Sequence, residues 1–199
     1  MIKVLFYTTN RAEYSKLRPI LKLLQNDKEI DLILFIGGCH LIKEYGETKY
    51  EILNDNITIN EEIYSHISGD DLTKTPETIG LSLLKLSPLL KKYNPDIVFV
   101  GFDRFDIFPL AISASLMNFC IVHLEGGEIS GTHDDKIRHS ISKLSNYHLV
   151  STNEAKENLI KMGENENTIF ITGCPRYNSL LKINELEENN VLNKYNLKK

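Results

Sequence analysis

Three stretches of this chain place acidic side chains where proton transfer is the natural chemistry. Asp103 follows the apolar run Asp96–Val100 (DIVFV), Glu125 ends the run IVHL just before Gly126-Gly127, and Asp134 and Asp135 lead into DDKIRHSISKL. A carboxylate at the end of a buried strand points into a cleft, where burial and neighbouring charges tune its pKa for acid or base work. The paired glycines after Glu125 let the backbone turn tightly and approach a ligand. Cations accompany these acids: Arg11 in Asn10-Arg11-Ala12-Glu13, Arg104 beside Asp103, Arg138 and His139 one turn after the aspartate pair, and Arg176 in Gly173-Cys174-Pro175-Arg176. His40 follows Gly37-Gly38 and is expected in the cleft.

Each feature also has a plainer reading. Arg11 fits a solvated loop arginine at a helix start as well as an anion ligand held there. Asp103 and Arg104 fit a structural ion pair, and Glu125 fits a turn cap. Asp134 and Asp135 complement a helix dipole, and Asp134–Arg138 and Asp135–His139 have the spacing of helix-face pairs. What favours a site is convergence. Asp103, Glu125, Glu128, Arg11, Arg104, Arg176 and His40 all follow candidate strands, and like charges gathered at one edge cost stability unless they are used. His133, Asp134 and His139 lack the spacing of a known metal-ligand set, so no metal site is expected.

The elements that would position these residues alternate short apolar runs with segments of helical period, the pattern of βαβ units and a parallel sheet. Strands are expected at Ile2–Tyr7, Asp31–Ile36, Ile57–Tyr64, Asp96–Val100, Phe119–Leu124, Tyr147–Ser151 and Thr168–Thr172. Helices are expected at Tyr14–Gln25, Leu41–Asn54, Thr75–Tyr93, Phe108–Met117, Asp134–Leu144 and Asn153–Met162, with Pro88 a kink or boundary. The whole reads as a doubly wound α/β domain with helices on both faces of a parallel sheet, whose ligands bind at the carboxyl ends of the strands. Beyond Tyr177 the composition turns to Asn, Glu and Lys, which marks a linker over 178–199.

Composition narrows the function. The 199 residues suit one good-sized domain, and the net charge of -4 gives no basic footprint for nucleic acid or an anionic membrane. No apolar run approaches a membrane span, and MIKVLFYTTNR is a first strand rather than a signal peptide. Cys39, Cys120 and Cys174 are isolated, as in reduced thiols of a cytoplasmic protein. The loop after the first strand is not GxGxxG, which disfavours a dinucleotide cofactor.

The motifs NRAEYSKLRPI, GCHLIKEYG, DRFD, HLEGGEISGTHDDKIRHSISKLSNYH and GCPRYNSLL, in this order, resemble the hydrolysing UDP-N-acetylglucosamine 2-epimerases of sialic-acid-type pathways. The resemblance spans nearly the whole chain. It implies a Rossmann-like N-terminal domain over 1–177, half of a two-domain enzyme of GT-B type, with a UDP-gripping domain beyond the linker; a chain ending here would then lack half its active site. It also implies a UDP-sugar as partner, a homo-oligomer, and neither a cofactor nor a metal. Asp103, Glu125 and Asp134 match the family's catalytic acids, while Arg11, His40, Arg104, Arg138 and His139 fall where residues line or brace the pocket. The implied reaction takes UDP-N-acetylglucosamine and water to N-acetylmannosamine and UDP through a glycal. A UDP-2,4-diacetamido sugar is the alternative substrate, and a non-catalytic sugar-nucleotide-binding module the alternative role. One departure stands out: the family pattern has glycine just before its aspartate, and this chain has Phe102, which is expected to crowd the turn that aims Asp103.

Overall fold

The computed structural model describes residues 1–180. Seven parallel strands form one sheet: β1 (Ile2–Thr8), β2 (Ile30–Gly37), β3 (Glu61–Ile63), β4 (Ile97–Gly101), β5 (Cys120–Leu124), β6 (Tyr147–Val150) and β7 (Ile169–Ile171). Their spatial order is β3-β2-β1-β4-β5-β6-β7. The chain winds outward from β1 in one direction, then crosses back to β4 and winds the other way. The order therefore reverses between β1 and β4, and a crevice opens there at the carboxyl ends of the strands.

The helices are α1 (Arg11–Gln25), α2 (Lys49–Asn54), α3 (Lys74–Tyr93), α4 (Phe108–Leu116), α5 (Asp134–Leu144), α6 (Asn153–Lys161) and α7 (Pro175–Leu180). Alternation along β1 sends Leu5 and Tyr7 to one face and Val4 and Phe6 to the other. The first pair packs with Leu86, Leu90, Leu110 and Ile141 from α3, α4 and α5. The second packs with Tyr14, Leu17 and Leu21 of α1 and with Phe102. Because both faces are covered, the strands read as near-continuous apolar runs. Asn10 caps α1 by accepting a hydrogen bond from the Glu13 amide at 3.1 Å.

Three expectations change. The helix expected over 41–54 is two 3₁₀ turns, Gly38–Leu41 and Lys43–Tyr45, followed by the six-residue α2. Gly46 lies in the left-handed region at φ 88° and ends the second turn. The strand expected over 57–64 shortens to β3, because the Asn60 side chain accepts from the Leu34 amide at 2.8 Å and occupies the place of a ladder partner. Pro88 neither breaks nor bounds α3; the missing N–H would have reached toward Leu84, whose side chain is 75% exposed. At the far end, α7 carries the chain past Tyr177 into the first residues of the expected linker, and 181–199 lie outside the described residues. No helix among the described residues is long and apolar enough to cross a membrane.

Candidate active site

The crevice between β1 and β4 collects most of the residues singled out by type. β4 ends at Gly101, and Phe102 turns the chain with φ 73°, in the left-handed region that costs a non-glycine residue about 1–2 kcal/mol. The Phe102 amide donates to the Leu124 carbonyl at 3.1 Å. Its ring is 7% exposed and lies in the core face under α1, with the Lys16 ammonium 4.7 Å from its centroid. Phenylalanine thus adopts the backbone conformation a glycine would take, and its ring is seated in the core rather than crowding the turn. Glu125, at the end of the neighbouring β5, also has positive φ at 58°. Left-handed non-glycine residues after two adjacent strands place local strain where the candidate acids sit.

Asp103 forms an ion pair with Arg138 of α5, whose side chain is 6% exposed. Arg138 also pairs with Asp135 and donates to the Glu128 carbonyl at 2.7 Å. A guanidinium this buried is tolerable only with paired acceptors of this kind. Asp135 accepts in addition from the Ser130 amide (2.9 Å), the Ser130 hydroxyl (2.7 Å) and the Gly131 amide (2.8 Å). The Ser130 amide is the main reason its pKa falls below the ordinary carboxylate range. The helix-face pairing is therefore Asp135 with Arg138, three apart, and not Asp134 with Arg138. Asp134 is exposed at the start of α5, and its carboxylate makes no ion pair or hydrogen bond among the described residues.

Glu125 forms an ion pair with Lys16 and accepts from the Cys174 thiol at 3.2 Å. Lys16, absent from the candidate residues read from sequence, joins both acid-bearing turns, since its ammonium meets the Glu125 carboxylate and the Phe102 ring. The signal for it was its place in NRAEYSK, in the second turn of a helix that starts at the crevice. Cys174 belongs to a strand-end motif, but nothing local tied it to Glu125.

A second acidic node lies beneath. The Thr9 amide and hydroxyl donate to Glu13 at 2.8 and 2.9 Å, and the carboxylate's other oxygen is buried without a partner among the described residues. Burial, then the nearby Asp106, pushes the Glu13 pKa up to about 7. Asp106, 4% exposed, holds Arg104 at 3.3 Å. Arg104 in turn joins Arg11 and Arg176 on a cavity of about 660 Å³, with Asn10, Ser15 and Cys39 also on its wall. That rim carries the positive charge an anionic group would meet.

His40 is a correction. Rather than lying in the cleft, it is fully buried, bridging the Thr8 and Thr48 hydroxyls at 3.1 and 2.7 Å. Burial lowers its pKa to about 4, so it braces β1 against the following loop as a neutral ring. His139 is half-buried, and no partner meets its Nδ1 among the described residues. No cluster of three or more His, Cys, Asp or Glu suited to a metal occurs among the described residues.

A family model described as UDP-N-acetylglucosamine 2-epimerase matches residues 22–199. The chain belongs to this family. Among curated relatives, the Legionella pneumophila protein named UDP-N,N'-diacetylbacillosamine 2-epimerase (hydrolyzing) is 38% identical over 180 residues, covering 90% of this chain and 48% of that protein. The Neisseria meningitidis UDP-N-acetylglucosamine 2-epimerase is 36% identical over 175 residues, covering 88% of this chain and 46% of that one. The crystal structure of the Methanocaldococcus jannaschii UDP-GlcNAc 2-epimerase in complex with UDP-GlcNAc and UDP aligns with a TM-score of 0.79 at 26% identity, covering 98% of this chain and 53% of that one. The chain thus spans about half the length of the epimerases it matches, and its α/β sheet corresponds to their N-terminal half.

Proposed function

We propose that the whole protein is a hydrolysing 2-epimerase that converts UDP-N-acetylglucosamine and water to N-acetylmannosamine and UDP. The observation that carries this reading is the paired arrangement at the crevice. Asp103 and Glu125 stand on strained turns after adjacent strands, each against its own cation, at the same carboxyl edge of the sheet from which Arg11, Arg104 and Arg176 line a cavity.

The chemistry explains why such a site needs several acids. The C2 proton of the sugar has no carbonyl to acidify it, so its removal becomes feasible only as the C1–O bond to UDP breaks. One carboxylate takes the C2 proton, the C2–H electron pair forms the C1–C2 double bond, and UDP leaves with the C1–O pair. In the second half, water adds at C1 and gives up a proton to a base, while C2 is protonated on the opposite face. Each positioned acid or base contributes roughly 10²–10⁴-fold, and nearby anions stabilise the positive character at C1. Asp103, Glu125 and Asp134 are assigned to these proton transfers. Lys16 and Arg138 hold two of them in place through ion pairs. Arg11, Arg104 and Arg176 are assigned to the diphosphate, with Arg138 and His139 bracing the pocket. No step requires a metal or a redox cofactor.

A second substrate has support of its own: the Legionella relative named for UDP-N,N'-diacetylbacillosamine matches this chain at 38% identity, at least as well as the Neisseria protein named for UDP-N-acetylglucosamine at 36%. The two sugars share the reacting C1–C2 unit and differ at C4 and C6. A coupled assay for released UDP, run on the full-length protein with each sugar nucleotide, separates them. Turnover of one in clear preference assigns the substrate. Binding of both with no UDP released would reduce the protein to a sugar-nucleotide-binding module.

A further inference from the structure

The imidazole of His123 lies wholly inside the protein, in β5, two residues before Glu125. We propose that His123 is a positioning residue that aims Asp103 by holding the Phe102 carbonyl and, through Ser142, locks that turn to the helix carrying Arg138. The activity readouts below rest on the proposed function; the structural and spectroscopic ones do not.

The hydrogen bonds leave one arrangement. Nε2 lies 3.2 Å from the Phe102 carbonyl oxygen, and Nδ1 lies 3.0 Å from the Ser142 hydroxyl. A carbonyl can only accept, so Nε2 carries the hydrogen. The ring is neutral: burial lowers its pKa to about 3, and Arg138, His139 and His148 all oppose a second proton. Nδ1 is then an acceptor, and the Ser142 hydroxyl donates to it. The same hydroxyl is 3.1 Å from the Arg138 carbonyl, one turn earlier in α5, but its single hydrogen is committed to Nδ1, so the ring is tied to α5 through Ser142 itself. Space for the contact is built in at Gly126, where a Cβ would lie 2.8 Å from His123 Nδ1 and 3.0 Å from Ser142 Oγ.

The consequence follows from peptide geometry. The Phe102 carbonyl lies in the same plane as the Asp103 amide. Gripping that oxygen fixes the plane, holds Phe102 at its positive φ, and sets the direction in which the Asp103 side chain leaves the backbone. Asp103 reaches Arg138, which stands one turn before Ser142 on the helix that Ser142 ties to the ring. Both members of the ion pair therefore hang from one imidazole that touches no solvent and, on this reading, no substrate.

The test compares His123→Leu with His123→Gln in the full-length protein. Leucine removes the donor; the glutamine amide can place a nitrogen where Nε2 lies and restore it. His123→Leu should lower kcat by about 10²-fold, the scale of a small misplacement of a reacting group, with KM changed by less than about threefold, and His123→Gln should recover most of the loss. Crystal structures should show Phe102 leaving positive φ and the Asp103–Arg138 pair opening in the leucine variant, with both features kept in the glutamine variant. Unchanged kcat and an intact pair in His123→Leu would overturn the proposal. So would equal losses in both variants. Should His123→Leu fail to fold, nitrogen-15 NMR of the unmodified protein decides: the His123 ring should be the neutral Nε2–H tautomer without titrating from pH 5 to 8 (roughly the range in which an ordinary histidine titrates). An Nδ1–H tautomer, or titration near the ordinary histidine pKa, would overturn it. If the parent releases no UDP, the proposed function fails while the structures and spectra still decide this inference.

Discussion

Replacing Phe102 by alanine and by glycine separates packing from backbone strain at the turn that carries Asp103. The ring is 7% exposed and sits among Val4, Phe6, Leu17 and Leu124, so Phe102→Ala should cost about 3–5 kcal/mol for lost burial and the cavity left behind. Loss of the Lys16 ammonium over the ring, 4.7 Å from its centroid, adds about 0.5–1 kcal/mol. Glycine loses the same ring but escapes the left-handed penalty of about 1–2 kcal/mol that alanine retains at φ 73°. Against that gain stands the extra freedom of glycine in the unfolded chain, about 0.5–1 kcal/mol. The expected order is therefore wild type, then glycine, then alanine, with glycine ahead of alanine by about 0.5–1 kcal/mol, the reverse of their order at an ordinary position. Urea unfolding of the three chains with matched slopes measures both differences. Glycine falling below alanine would mean that the turn is not left-handed in solution. A loss under about 1 kcal/mol for alanine would mean that the ring is not buried.

The carboxylates give the next expectation: in the full-length protein Asp103→Asn, Glu125→Gln and Asp134→Asn should each lower UDP release by roughly 10²-fold or more while the fold persists, because the amides keep shape but cannot accept a proton. Near-normal rates in all three would leave these acids as structural partners only. Chelators should leave turnover unchanged; loss in chelator, restored by one divalent ion, would expose a metal ligand set around His133–His139. Glu13 gives a pH signature. Its pKa is pushed up to about 7 in the fold against an ordinary 4.5, so the fold keeps a proton that the unfolded chain gives up between these values. The stability tied to this group is present below about pH 4.5 and lost as pH rises through about 7. Denaturant melts of Glu13→Gln against wild type should therefore shift in favour of the variant by on the order of 3 kcal/mol between about pH 4 and pH 8, and a constant difference across that range would show that Glu13 is not a buried acid.

The sheet was legible because buried parallel strands carry unbroken apolar runs, and Ile2–Thr8, Ile30–Gly37 and Cys120–Leu124 stand close to their expected bounds. The segment from 38 to 63 was less so, since single residues decide it: Gly46 ends a turn that periodicity alone would continue, and the Asn60 side chain replaces a ladder partner. Asp103 and Glu125 were legible because a polar residue after an apolar strand is a local signal. Their ion pairs were not, because Lys16, and Arg138, which the sequence names but does not pair with Asp103, reach these acids only once helices pack across the sheet. Helix rotation likewise decides that Asp135, rather than Asp134, holds Arg138. Glu13 reads in sequence as an acid at a helix start; its raised pKa comes from burial in the fold and from the charge of Asp106, which arrives after β4, across the crevice between β1 and β4. His40 looks cleft-bound beside its glycines, yet the Thr8 and Thr48 hydroxyls draw it inside.

Turnover in heavy water tests the proposed chemistry most directly. Elimination followed by hydration removes the C2 proton and replaces it from groups that exchange with solvent. The full-length protein supplied with UDP-N-acetylglucosamine in deuterium oxide should yield N-acetylmannosamine carrying one deuterium at C2, read by proton NMR or mass spectrometry. N-Acetylmannosamine with its original hydrogen at C2 would contradict the elimination mechanism, and with it the roles assigned to Asp103, Glu125 and Asp134.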